Sequence, residues 1–341
     1  MFYLKYRPHT IAEVDNSAAA PVLEKLLQSK DLPHALLFVG QKGTGKTSTA
    51  RIFSKAINCL NNKGSIEPCN TCANCKSIDS SSSVDVIEMD AASNRGIDEI
   101  RDLIKESAFS PMSNKYRVFI IDEAHMITPD AFNALLKTLE EPPKSVIFIL
   151  ATTISEKIPK TIYSRCFLVQ FGKAKKQDIL KMLKRIVKAE SLTVNDDLLK
   201  FVVSHSDNSF RDAAKILEEL VIQKKFTVEE ASQFLGLVGT QSLLEIIEKK
   251  SLKDALSWIR EFEEGGGNFK YLIEQLLGDL RELLLSKNGV IQEGEVIASG
   301  LTLPQVTMLM KLFTVAYDNL KKTPIESIAL ELAVADFYNK K

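Results

Sequence analysis

The stretch Gly40-Gln41-Lys42-Gly43-Thr44-Gly45-Lys46-Thr47 constrains this chain more than any other. It fits the pattern G-x-x-x-x-G-K-[ST] and lies between a strand signal and a helix signal. Ala35-Leu36-Leu37-Phe38-Val39 precedes it, a short unbroken apolar run of the kind that makes a buried parallel strand. Ser48 to Leu60 follows and reads as a helix. In that setting the loop's backbone N–H groups can wrap a phosphate at the positive end of the helix. Lys46 can reach the β- and γ-phosphates, and Thr47 can ligate Mg²⁺. A chance glycine-rich turn would not come with strand, loop and helix in order. The motif implies a nucleoside-triphosphate site on Gly40, Gly43, Thr44, Gly45, Lys46, Thr47 and Ser48.

Four more strand signals follow: Val84–Met89, which alternates, then Arg117–Asp122, Val146–Leu150 and Phe167–Phe171. Together they predict an α/β core with a parallel five-stranded sheet. The third of the five ends in Asp122-Glu123-Ala124-His125. A wholly apolar strand that ends in two carboxylates is the acidic counterpart of a phosphate loop. Asp122 would support the Mg²⁺ beside Thr47, and Glu123 would orient and polarise the attacking water. His125 reads as a polar helix-start residue, not a metal ligand, because no second histidine lies near it. Thr128-Pro129 caps a helix to Glu140, which Pro142-Pro143 stops. Ala151-Thr152-Thr153 ends the fourth strand and could place a hydroxyl at the phosphate.

Four of the five cysteines cluster after the phosphate loop: Cys59, then Cys69-x₂-Cys72-x₂-Cys75. Four thiolates at this spacing can close a tetrahedral zinc site whose role is structural, since no ligand position stays open. An iron–sulfur cluster and unligated thiols are the alternatives; the ferredoxin-type run would want a later Cys followed by Pro.

At 341 residues the chain is too long for one ordinary core. Its 44 basic and 44 acidic residues balance, so contact with nucleic acid must come from local basic patches. Arg95 and Arg101 supply one around the turn and helix near Asp98, although a solvated helix face explains them nearly as well. The apolar runs are far short of the ~20 residues of a membrane span, and no signal-peptide core opens the chain. A cytoplasmic location without disulfides is expected. Past Gly172 the pattern is helical only. Ser209 and Asp212 are spaced as a capping box, which puts Arg211 in a first helical turn. The helix dipole disfavours a cation there, so helix stability does not explain it; a bound phosphate would.

In order along the chain come the phosphate loop, the four-cysteine insert, Asp-Glu-Ala-His, Ala-Thr-Thr, Ser164-Arg165-Cys166 and the arginine at 211. With the run Asn133 to Pro143, this order resembles the gamma/tau family of AAA+ ATPase subunits of the bacterial DNA polymerase III clamp loader. The resemblance is dense from Lys5 to about Leu220 and architectural afterwards. It implies an AAA+ P-loop core over residues 1–172 with the zinc insert at 59–75. A helical lid over 173–236 and an all-α collar for oligomerisation over 237–341 would follow. It implies an ATPase, part of the DNA polymerase III holoenzyme, that loads the sliding clamp onto primer–template DNA with ATP, Mg²⁺ and Zn²⁺ bound. Lys46, Glu123, Thr153 (the first sensor) and Arg165 would be catalytic, with Arg165 serving as a finger on a neighbouring subunit's ATP. Tyr6, Arg7 and Pro8 would flank adenine, Arg211 would be the second sensor, and Lys137 joins Arg95 and Arg101 as a candidate DNA contact. The implied partners are the delta and delta-prime subunits, further copies of this chain, the clamp and DNA, with no membrane. Because the chain stops soon after Phe337, it is expected to lack the region through which longer members reach the helicase and polymerase.

Two positions depart from the family. Asn16-Ser17 replaces the usual Gly-Gln, and Asn208 replaces a Gly before Ser209. A non-hydrolysing scaffold of the same loader, disfavoured by Lys46, Thr47, Asp122 and Glu123, is one alternative. A P-loop kinase, disfavoured by Arg165, Arg211 and the helical tail, is the other. The apolar stripe Val306, Leu309, Phe313, Ala316 and Leu320, widened by Met308, Met310 and Leu312, is either bundle core or a wider assembly surface.

Overall fold

The structure is a computed structural model that describes residues 1–29, 31–62, 64–234, 240–290 and 300–340. They divide into two compact units, Met1–Lys224 and Lys225–Lys341. The boundary expected at 236/237 lies outside the described residues.

The first unit opens with α1 (Phe2–Lys5) and α2 (Ala20–Gln28), then β1 (Ala35–Gly40), α3 (Lys46–Asn58), α4 (Ala73–Asp79) and β2 (Val86–Asp90). It continues with α5 (Ile97–Ser107), β3 (Arg117–Asp122), α6 (Pro129–Glu140), β4 (Val146–Thr152), α7 (Lys160–Tyr163) and β5 (Phe167–Gly172). Helices α8 (Lys176–Ala189), α9 (Asp196–Ser204) and α10 (Phe210–Ile222) close it. Among the described residues five strands form one sheet in the order β2-β3-β4-β1-β5, with every neighbouring pair parallel.

The strands read as continuous apolar runs because both faces of the sheet are covered. Leu37, Phe119, Ile121, Phe148 and Leu150 pack on one side with Leu103 of α5 and Leu135 of α6. Their sequence neighbours Leu36, Phe38, Val118, Ile120, Ile147 and Ile149 pack on the other with Leu23 of α2 and Phe53 of α3. The period-2 alternation of strand side chains thus divides each run between two cores. Phe119 and Phe148 stack across neighbouring strands with ring centroids 5.4 Å apart; truncating Phe148 to Ala would cost about 3–5 kcal/mol.

Parallel pairing puts the C-terminal ends of all five strands at one edge, where open α/β sheets bind ligands. Register aligns them there: Val39 is opposite Thr152, and Asp90 is opposite Asp122. The phosphate loop leaves β1 at this edge and the acidic pair leaves β3.

Local chemistry sets the helix starts. Thr128 caps α6 by accepting from Ala131 N, with Pro129 in its first turn. Asn195 caps α9 by accepting from Leu198 N. Ser209 caps α10 by accepting from Asp212 N at 3.2 Å, one half of the expected capping box. Phe2–Lys5 is helical, and the Phe2 N–H donates to Glu218 Oε2 at 3.0 Å.

The second unit contains α11 (Val228–Phe234), α12 (Thr240–Lys249), α13 (Leu252–Glu264), α14 (Phe269–Lys287), α15 (Leu303–Asn319) and α16 (Glu326–Lys340). Gly265 ends α13, Gly266 takes φ 73°, and Asn268 caps α14, so the triple glycine is a helix-to-helix turn. Val306, Leu309, Phe313, Ala316 and Leu320 are buried in this unit's own core, with Met308, Met310 and Leu312 half-buried against it. Among the described residues no helix is long and apolar enough to cross a membrane.

Candidate functional site

The loop between β1 and α3 bends through two glycines in left-handed conformation, Gly43 (φ 75°) and Gly45 (φ 97°). Gly43 has a second constraint. A Cβ there would lie 1.9 Å from Ser209 Oγ, because the loop packs against the start of α10, where the Phe210 N–H donates to the Gly43 carbonyl at 3.0 Å. Gly45 caps α3 without a side-chain hydrogen bond, so the first N–H groups of a 13-residue helix face the loop, free to receive an anion. Lys46 is buried and donates from Nζ to the carbonyls of Gly40 (2.8 Å) and Gln41 (2.9 Å). Burial lowers its pKa, while the carboxylates of Glu123 and Asp122 act the other way. Thr47 Oγ1 donates to Asp122 Oδ2 at 2.6 Å. Thr49 Oγ1 is buried with no hydrogen-bond partner among the described residues, and it lines the same space.

That space is a cleft of about 390 Å³, inside the range of small-ligand sites. Its floor is Lys42–Thr49, with Asp122 and Glu123 at the strand ends. Tyr6, Arg7 and Pro8 line one side together with Val14, Asp15 and Asn16; Met182, Ile186, Phe210, Arg211 and Ala214 of α8 and α10 line another. One apolar flank, one cationic loop and two acids suit a base, a phosphate chain and a divalent cation. The Thr47 hydroxyl and the Asp122 carboxylate, both hard oxygen ligands, are the residues that would hold Mg²⁺. Arg7 Nε donates to Ser48 Oγ at 2.7 Å, which ties the N-terminal segment to the loop. Asn16 is buried, donating to the carbonyls of Phe171 (3.1 Å) and Thr44 (3.4 Å) and accepting from the N–H groups of Ala18 and Ala19. The unusual Asn thus makes a fully bonded corner of the cleft.

Glu123 has a backbone that few residues adopt, φ 47° and ψ 44°. Such left-handed strain in a non-glycine residue costs roughly 1–3 kcal/mol and persists where surrounding contacts dictate it. Here the Glu123 N–H donates to Asp122 Oδ1 at 2.9 Å, and Thr153 Oγ1 donates to Glu123 Oε2 at 3.0 Å. His125 Nδ1 lies 3.3 Å from the same oxygen and 3.2 Å from Thr152 Oγ1. Thr153 therefore meets the cleft through the carboxylate, outside the cleft lining itself.

Two of the lining residues also have partners beyond the cleft, and the other expected residues lie away from it. The Arg211 guanidinium stacks over the Tyr3 ring at 5.0 Å. Tyr6 donates to Glu190 Oε1 at 2.6 Å, shared with Lys5, and these two hold the Glu190 carboxyl below its usual range, Lys5 contributing most. Arg165 lies away from the cleft lining. It pairs with Glu140 at the end of α6 and donates from Nη1 to the Thr161 carbonyl at 2.6 Å. Arg95, Arg101 and Lys137 are exposed, and Arg101 is 3.5 Å from Asp98. Sequence patterning missed the apolar flank of Val14, Met182, Ile186 and Ala214, whose signal is shared with ordinary core positions. It also missed Tyr3 and the role of His125.

A second cluster stands at the other end of α3. The Sγ atoms of Cys59, Cys69, Cys72 and Cys75 all lie within 4.8 Å of one another. Backbone N–H groups already face the sulfurs: Cys69 N donates to Cys59 Sγ (3.3 Å), Cys72 N to Cys69 Sγ (3.3 Å) and Cys75 N to Cys72 Sγ (3.4 Å). The Thr71 hydroxyl, with the Thr71 and Cys72 N–H groups, lowers the Cys69 thiol to about 5, while burial raises that of Cys75. A buried thiol beside thiolate-stabilising donors is the setting that a dication resolves, and four sulfurs in one knot fit tetrahedral zinc.

Comparison with known proteins adds the following. A family model described as DNA polymerase III, delta subunit, matches residues 15–175. The chain is 42% identical over 298 residues to DNA polymerase III subunit tau of Bacillus subtilis, covering 86% of this chain and 53% of that protein. It is 36% identical over 283 residues to DNA polymerase III subunit gamma/tau of Mycoplasma genitalium, covering 81% and 47%. It is 35% identical over 260 residues to DNA polymerase III subunit gamma of Buchnera aphidicola, covering 75% and 72%. The chain spans about half the length of the first two relatives.

Proposed function

Because this chain belongs to the DNA polymerase III gamma/tau family, we propose that it is an ATPase motor subunit that loads a sliding clamp onto primer–template DNA. The observation that carries this reading is the convergence of Lys46, Thr47, Asp122 and Glu123 on one cleft, with Thr153 bonded to the Glu123 carboxylate and His125 Nδ1 3.3 Å from it.

In this reading Lys46 exchanges its two loop carbonyls for phosphate oxygens, and the free N–H groups at the start of α3 take the remaining phosphate charge. Thr47 and Asp122 would hold Mg²⁺, which would neutralise charge on the phosphates. Glu123 orients the attacking water, and Thr153 and His125 fix which way its carboxylate faces. Such positioning matters because phosphoryl transfer depends more on alignment and electrostatics than on covalent help. Arg211 completes the cation ring from α10. Arg165, outside its own cleft, acts on ATP held by a neighbouring subunit. The assembly would contain delta-type subunits and further copies of this chain, with the second unit's helices as the collar. Binding of ATP would favour a state that grips clamp and DNA, and hydrolysis would release them.

The test is the ATPase rate of the assembled loader with and without primed DNA and clamp. Stimulation by both together is expected. A rate indifferent to both, or phosphoryl transfer to a small acceptor, would overturn the reading.

A further inference from the structure

Residues 9–16 form an arch between the cysteine knot and the nucleotide cleft. At the far end Val14, Asp15 and Asn16 line the cleft. Asn16 is bonded to the phosphate loop through the Thr44 carbonyl, and Asp15 takes a two-point contact from Arg185 of α8 at 2.8 and 3.0 Å. At the near end one carboxylate holds two consecutive amides. Glu67 Oε2 accepts from Ile11 N at 2.7 Å, and Glu67 Oε1 accepts from Ala12 N at 2.9 Å. Between the two ends, the fully buried Ile11 packs with Val14 on Ile52 of α3.

Glu67 leads directly into the knot. It is followed by the buried Pro68 and then by Cys69. The turn after Cys69 is pinned to α3 by the buried Lys55, whose Nζ lies 2.8 Å from both Asn70 Oδ1 and Asp79 Oδ1. A charged acceptor on two adjacent N–H groups is a strong, directional hold on a backbone segment. The insert therefore reaches the segment that lines the cleft, not only the end of α3.

We propose that the four-cysteine knot is a positioning element for the nucleotide, acting through Glu67 on the arch that carries Val14–Asn16. Glu67 touches no substrate; it fixes the backbone that does. The proposal rests on the cleft being an ATP site, and the experiment separates the two.

Affinity for the fluorescent analogue mant-ATP is measured together with zinc content and ATP turnover. Glu67→Ala should keep its zinc and its saturated turnover while binding mant-ATP roughly five- to tenfold more weakly, the lower range of typical coupling between sites. Chelating zinc from the wild type should weaken binding comparably, and chelating it from Glu67→Ala should add little, because both act through one contact. Amide exchange over residues 9–16 should speed up in both cases. Should Glu67→Ala fold poorly, Glu67→Gln retains one acceptor oxygen and should bind two- to threefold more weakly. Wild-type affinity in either zinc-loaded variant overturns the proposal, as does equal weakening by chelation with and without Glu67. If the wild type does not bind mant-ATP at all, the site reading falls and this proposal with it.

Discussion

Helix α3 separates two polar clusters that are built on opposite terms. At its start, the cleft side chains hold provisional partners: Lys46 rests on loop carbonyls and Thr47 on Asp122, while Thr49 Oγ1 has no partner among the described residues. The bonds of Lys46 and Thr47 can be exchanged for a phosphate oxygen or a cation at little net cost, since one interaction replaces another. At its end, Cys59 caps the helix and joins three other sulfurs in a knot whose N–H donors and ligand positions are all accounted for. The first arrangement suits turnover and the second suits permanence. Strain follows the same division. The left-handed Glu123 sits at the cleft, whereas the left-handed Asn70 in the knot is a residue type that tolerates that conformation.

The largest effect is expected at Glu123, to which the proposed function assigns the orientation of the attacking water. Glu123→Gln should lower turnover by ~10²–10⁴ while nucleotide affinity stays near wild type. Steady-state hydrolysis beside equilibrium binding checks this, and a loss confined to binding would break the picture of a preassembled cleft. Next comes Arg165. Its replacement by Ala should leave ATP binding intact yet slow hydrolysis in the assembly by about 10³ or somewhat less, the low end for an arginine supplied in trans. Mixing Arg165→Ala with Lys46→Ala restores interfaces that pair an intact loop with an intact arginine, so activity should return. A mixture that co-assembles but stays inactive removes the trans role. Least change in turnover is expected from the knot. Cys72→Ala should take zinc from close to one per chain to near zero and lower stability by about 3–5 kcal/mol, read by metal analysis and thermal melting. Iron-coloured wild-type protein, or a metal-free variant that melts normally, would end the claim that this cluster is a structural zinc site.

Much of this was open to reading from residue patterns, and the reason is physical. Buried parallel strands must be apolar on both faces, so β1, β3 and β4 stand out as runs. The loop glycines are required by backbone angles, and four cysteines at this spacing are what a tetrahedral ion site would need. What escaped is held by contacts distant in sequence. Helix α1 is a single turn, too short to be stable alone, and takes its hold from Glu218 and Glu190. The Asp15–Arg185 pair and the Glu67 clamp on Ile11 and Ala12 join segments with no shared periodicity. The Glu123 conformation was hidden for another reason: glutamate carries no marker for left-handed backbone, as glycine does.

The knot also bears on the order in which the first unit can be made. Its ligands lie between Cys59 and Cys75, and its anchors Lys55 and Asp79 are close by in the chain. The sheet is a different matter, since β1 must wait for partners as distant as Phe148 and Phe167. Local closure is fast and distant strand pairing slow. On a chain emerging from the ribosome, an ion bound by these four sulfurs would secure the end of α3 while β3, β4 and β5 have yet to be synthesised. Supply of the ion during translation would then govern the yield of folded protein, well before any nucleotide is bound.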